Sequence, residues 1–161
     1  LSKIKGLLGL ADEIKSKNKG SSYSDLDSKN GLYKIRYTYA VGSRKPSKTQ
    51  REFCRNMMNM ASAGIVWTLE DIDRASREGV NRELGHNGQP FDLFKFKGGI
   101  YCRHKWNRAL YRLKKNTQPS KDLSDYKKTR TIPKTYIKNP RGTKQSEIAP
   151  INMPNRGAYP K

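Results

Sequence analysis

The sequence predicts an α+β protein: a small core of about three helices with short strands, an N-terminal helix before it, and a long extended C-terminal arm after it. Three observations predict this. The apolar residues alternate with period two near residue 35 and change to helical spacing after residue 50. Only 34% of the 161 residues are hydrophobic, below the roughly 45–50% of an ordinary domain, so one core cannot take in the whole chain. Prolines recur from Pro119 onward with no sustained apolar period between them, as expected of a segment that buries too little surface to offset its ordering entropy. The expected organisation is therefore 1–30 amphipathic helix and linker, 31–115 folded domain, and 116–161 basic arm.

Taken in order, Leu1, Ile4, Leu7, Leu8, Ala11 and Ile14 fall three to four apart and predict a short amphipathic helix, weakened by Gly6 and Gly9. Residues 17–30 are rich in Ser, Gly, Asp and Asn and read as loop. Leu32 to Val41 alternates, with Tyr33, Ile35, Tyr37 and Tyr39 on one face, and predicts a strand with a buried aromatic side. Thr49 with Glu52 three residues on has the form of a capping box for a helix carrying Phe53, Met57, Met60 and Ala61 as its apolar stripe, ended by Gly64. Thr68 caps a second helix through Ile72, Ala75 and Ser76. Phe91, Leu93, Phe94 and Phe96 suggest a short strand running to Gly98-Gly99. The clearest helix is expected over Ile100 to Lys115, with Cys102, Trp106, Ala109, Leu110 and Leu113 on one face. In the arm, Ile132, Tyr136, Ile137, Ile148, Ile151, Met153 and Tyr159 are spaced like anchors for pockets on neighbouring subunits.

Thirty-four Lys+Arg against 14 Asp+Glu give a formal net charge of +20. Charge on this scale speaks about partners rather than fold, and a phosphate backbone is the commonest anionic surface able to neutralise it. Arg44, Lys45, Lys48 and Arg51 cluster around the start of the first central helix, and Arg103, Lys105, Arg108 and Arg112 on the last one; these eight are the candidate phosphate-contacting residues. Double-stranded DNA bound without sequence preference is the expected nucleic acid. A ribosomal-type nucleic-acid-binding module shares the composition. No apolar run approaches the roughly 20 residues of a membrane span, so no membrane partner is expected. Two cysteines do not make a disulfide framework. A chain that opens at Leu1 is what a processed product, or a piece of a longer polypeptide, shows.

Cys54, Cys102 and His104 are the candidate metal ligands, because thiolate and imidazole suit zinc; His86 is a conceivable fourth. The competing reading is that both thiols act as small hydrophobes on apolar helix faces, and a disulfide is the third. No catalytic residue is assigned. There is no nucleotide loop, since Gly98-Gly99 lacks the spacing, and no nucleophile elbow. A metal-dependent nuclease would need a linked pair of histidines that His86 and His104 do not signal. The expectation is a non-enzyme.

Three elements then resemble a known family: Arg51-Glu52-Phe53-Cys54, Trp67-Thr68-Leu69-Glu70-Asp71-Ile72, and Gly98-Gly99-Ile100-Tyr101-Cys102-Arg103-His104-Lys105-Trp106, preceded by Tyr37-Thr38-Tyr39-Ala40-Val41-Gly42. Together they are similar to the C-terminal region of phage minor head proteins, the Mu F-like head-morphogenesis proteins, in a form most similar to virion proteins of crAss-like phages. The match runs roughly from Tyr37 to Leu113. The family's Pro-rich approach to the second Cys, and a second Cys after Cys54, are absent here. The resemblance implies that Cys54, Cys102 and His104 occupy the family's Cys/His positions, which bind metal or hold the fold. It implies a structural virion protein of a tailed phage, made in the host cytoplasm and placed in the inner head or at the portal vertex. Its partners would be portal, connector and capsid proteins in symmetric multiple copies, close to packaged DNA. An internal protein ejected with the genome shares these features.

Overall fold

The computed structural model describes residues 23–44, 50–140, 143–148 and 153. The expected N-terminal helix, Lys45, Lys48, Thr49, Ile151 and Tyr159 lie outside the described residues. Strands β1 (Tyr33–Val41), β2 (His104–Leu113) and β3 (Tyr126–Thr129) form an antiparallel sheet in that order. Helices α1 (Glu52–Ser62) and α2 (Leu69–Arg77) and the single turn α3 (Leu93–Phe96) lie in the chain between β1 and β2. One further helical turn, α4 (Thr143–Ser146), packs back against α3. The protein is thus α+β, with its two long strands as central elements. No helix among the described residues is long and apolar enough to cross a membrane.

β1 forms where the alternation predicts. Ile35, Tyr37 and Tyr39 are buried in the core, and Tyr37 and Tyr39 meet Phe94 and Phe53 edge to face. The opposite face is also covered: Lys34 and Arg36 are buried beneath the turn at residues 24–27. Asp27 grips the Arg36 guanidinium at 2.6 and 3.1 Å and lies 3.6 Å from the Lys34 ammonium. Ser24 Oγ and the Asp25 amide both donate to Glu70, which fastens the turn to α2.

The α1 stripe is the expected one, with Phe53, Cys54, Met57 and Met60 buried. Its start is corrected: Arg51, not Thr49, occupies the cap position, and no side chain caps there. Its end is a Schellman turn, in which the Gly64 amide donates to Ala61 and the Ile65 amide to Met60, with Gly64 at φ +83°. Trp67 then exchanges two backbone hydrogen bonds with Tyr37. Thr68 caps α2 as expected, accepting from the Asp71 amide and donating to its carboxylate.

Two elements differ from the sequence expectation. The segment 91–96 is not a strand, because the Asp92 carboxylate accepts from the amides of Phe94 and Lys95 and nucleates α3. The helix expected over 100–115 is β2, paired along its length with β1 from Tyr39↔Trp106 to Tyr33↔Arg112. The apolar positions 102, 106, 109, 110 and 113 imitate a helical stripe because both faces of β2 are partly covered. Trp106 and Leu110 point to the core, whereas Ala109 sits on the other face beside Arg36. Strands covered on both sides lose their alternation.

The fold also continues past the boundary expected at 115. β3 pairs with β2, Tyr126 lies over the Lys34 ammonium at 4.8 Å, and Ile132, Tyr136, Ile137 and Met153 join the chain's own core. These anchors dock within their own subunit. Ile148 remains exposed. Lys97, completely buried at φ +52°, ties the C-terminal segment down by donating to the carbonyls of Lys95, Ser146 and Ile148.

Burial pushes the Lys97 ammonium down to about 8 from its ordinary 10.5. Between these values the unfolded chain binds more protons, so this contribution to stability is fully present above pH 10.5 and is lost as pH falls through 8. Stability is expected to rise across that window by up to about 3 kcal/mol. Lys97→Met should remove most of the rise in pH-dependent urea titrations, leaving the smaller part due to Lys34. An equal rise in the variant would assign it to general relief of charge repulsion.

Candidate metal centre and basic surface

Four elements deliver one buried polar cluster. α1 presents Cys54 from its inner face, the turn after Gly98-Gly99 presents Cys102, β2 opens with His104, and β1 supplies Tyr39. The two sulfurs lie 3.7 Å apart and are free thiols. His104 directs Nδ1 at Cys102 Sγ, also at 3.7 Å, and the donor atoms of Cys54, Cys102 and His104 all lie within 4.8 Å of one another. Tyr39 Oη stands 3.5 Å from Cys54 Sγ and 3.4 Å from Cys102 Sγ, while its ring stacks on His104 and meets Trp106 edge to face. All four side chains are at most 4% exposed.

The surrounding backbone is built tightly around the sulfurs. A Cβ at Gly98 would sit 2.5 Å from Cys54 Sγ and 3.3 Å from Cys102 Sγ, so only glycine fits. Arg51 holds this turn in place by donating to the carbonyls of Gly98 and Ile100, each at 2.7 Å. The electrostatics are uneven. Hydrogen bonds from Cys54, and then from His104 and Tyr39, pull Cys102 well below the ordinary thiol range. The same contact, together with burial, raises Cys54, and burial raises the Tyr39 phenol well above its ordinary value. Two sulfurs and an imidazole form a possible metal-binding triad of the type zinc takes.

Two sequence expectations about this site are corrected. His86 lies outside the cluster, in the turn after α2, next to the Asn87 amide. Cys102 and His104 stand at the mouth of a strand, not on a helix face. Tyr39 is the member that the sequence reading missed. Its position signals only a core aromatic, and its approach to the thiols follows from the register Tyr39↔Trp106.

The eight basic candidates separate. A strand sends neighbouring side chains to opposite faces, so Lys105 is divided from Arg108 and Arg112. Arg108 is engaged by Glu147 at 3.3 Å and by Asn139 at 3.2 Å, and Arg51 by the two carbonyls above. Arg44, Arg103 and Arg112 are exposed, and Lys105 is half-buried.

A denser basic surface forms at the far end of the sheet. Arg112 stands directly opposite Lys127, a like-charged pair that costs stability unless an anion neutralises it. Lys114, Lys115 and Arg130 follow the ends of these strands, while Lys128, opposite Tyr111, points to the other face of the ribbon; all six are exposed. The carboxylates of the connecting segment turn elsewhere: Asp122 to the Ser124 amide and Asp125 to the Ser120 hydroxyl.

No family model matches the chain, and no curated protein or solved structure matches it.

Proposed function

We propose that this protein is a non-enzymatic structural component of a tailed-phage particle, docking at the portal or head–tail connector, or in the inner head, beside packaged DNA. The observation that carries the proposal is the contrast between the two features above. The Cys54–Cys102–His104 cluster is sealed in the core, whereas the basic residues at the end of the β2–β3 ribbon face solvent. Such a surface suits sequence-independent binding to phosphates, in which each neutralised charge releases a counterion. The resemblance of segments 51–54 and 98–106 to minor head proteins supplies the setting. Portal, connector and capsid proteins, in symmetric copies, are the proposed neighbours.

In the same proposal Cys54, Cys102 and His104 hold a zinc ion. A sealed site with no open face suits a structural ion, which pins α1, the Gly98 turn and β2 together.

DNA binding provides the test. The chain is expected to bind duplexes of unrelated sequence with similar affinity, falling steeply as salt rises. Arg112→Gln and Lys127→Gln combined should weaken binding uniformly across sequences. The salt slope should flatten by about one unit for each phosphate that is no longer neutralised. Fluorescence anisotropy at several salt concentrations reads both quantities. Salt-insensitive binding, or selective affinity for one RNA, would overturn the DNA-proximal role. A particle reconstruction that places the chain away from the portal vertex and the head interior would overturn the location.

A further inference from the structure

We infer that Tyr39 is the fourth ligand of the metal centre, its phenol oxygen completing the tetrahedron begun by Cys54, Cys102 and His104. The inference rests on the zinc reading above and adds to it a donor from β1.

The distances carry it. A tetrahedral zinc ion with metal–sulfur bonds of about 2.3 Å separates two sulfurs by about 3.8 Å, and sulfur from oxygen or nitrogen by about 3.5 Å. The sulfurs are 3.7 Å apart, Tyr39 Oη lies 3.5 and 3.4 Å from them, and His104 Nδ1 lies 3.7 Å from Cys102 Sγ. Two sulfurs and the oxygen therefore already span one face of the polyhedron, with the imidazole on an edge of it. The site also closes without water. Gly98 leaves no room on the sulfur side, the Tyr39 ring is stacked on His104, and every donor residue is buried. Among the described residues no further Cys, His, Asp or Glu joins the group, and among them the phenol is the oxygen placed to fill the remaining position.

The test uses the full chain loaded with Co(II), whose ligand-field bands report coordination number. The wild-type protein is expected to take up one ion, with thiolate charge-transfer and tetrahedral bands. Tyr39→Phe, which removes only the hydroxyl, should keep the charge-transfer band, shift the ligand-field bands as a water takes the fourth position, and bind zinc at least about tenfold more weakly against a competing chelator. Unchanged bands and affinity in Tyr39→Phe would remove Tyr39 from the coordination sphere and leave the three-residue centre standing. Absence of metal uptake by the wild-type chain would overturn the centre itself, Tyr39 included. A second measurement needs no variant. Water labelled with the magnetic oxygen isotope should leave the cobalt resonance of the wild-type protein unbroadened, and broadening would show that water holds the fourth position.

Discussion

Asp27→Ala is expected to destabilise the fold by about 3–5 kcal/mol, among the largest effects available to a substitution outside the aromatic core. Asp27 is the counter-ion for two cations on the covered face of β1: Arg36, completely buried, and Lys34, 5% exposed. The guanidinium is held by both carboxylate oxygens and also donates to the Ile35 carbonyl. Burial already lowers the Lys34 ammonium, with Asp27 as the opposing influence. Removing the carboxylate takes a shared counter-charge from two buried positive groups, a cost far above that of losing an exposed ion pair. Asp27→Ala combined with Arg36→Met should recover much of the loss, because an apolar replacement for both partners leaves one buried cation fewer. Urea unfolding monitored by circular dichroism measures this, with a lower midpoint and an unchanged slope as the signature. A stability within about 0.5 kcal/mol of wild type would mean that the turn at residues 24–27 does not exclude water from Arg36.

That turn also shows why part of the structure escapes a sequence reading. Local signals were legible wherever one residue's own chemistry decides the backbone. Thr68 caps α2, Gly64 takes the left-handed position after α1, and the alternation of Tyr33, Ile35, Tyr37 and Tyr39 defines the core face of β1. What failed depended on distant partners. β2 carries Arg108 on its core side, paired with Glu147, and Ala109 on its other side, packed over a covered face, so its alternation is hidden and its apolar positions fall by chance into helical spacing. β3 is four residues long with one buried side chain, Tyr126, and its place in the fold comes from the ladder to β2. Nothing near Asp27 in sequence announces that it neutralises Arg36. The metal candidates show the same division. Cys54, Cys102 and His104 were legible as residue types, but only the packing of α1 against the β1–β2 pair shows that they meet. Tyr39 enters the group solely through strand register. The basic residues were legible as a total charge and not as a surface, because that surface depends on which face of β2 each one takes and which acid reaches it.

Trp106→Ala should cost about 3–5 kcal/mol, the usual range for removing a large aromatic from a packed core. Trp106 is 1% exposed near the start of β2, and its position explains why so much depends on it. Its ring meets Tyr39 edge to face at 5.0 Å, and its indole Nε1 donates to the Leu93 carbonyl at 3.1 Å. One side chain thus joins the sheet to α3 and supports the tyrosine that faces the thiols. The two roles separate by substitution. Trp106→Phe retains an aromatic edge for Tyr39 but removes one of the two hydrogen bonds that the Leu93 carbonyl accepts, the Lys97 amide keeping the other, which costs about 0.5–1.5 kcal/mol. Alanine removes the packing as well and frees Tyr39 to move. Urea midpoints should therefore rank wild type above Trp106→Phe above Trp106→Ala. Zinc affinity should follow a different pattern, nearly unchanged in the phenylalanine variant and reduced in the alanine variant while the protein is still folded. Equal stability losses in the two variants would show that the hydrogen bond to Leu93, and not the packing of the indole, is what holds β2 to α3. An alanine variant that binds zinc as tightly as wild type would show that the thiols and His104 keep their geometry without the aromatic support behind Tyr39.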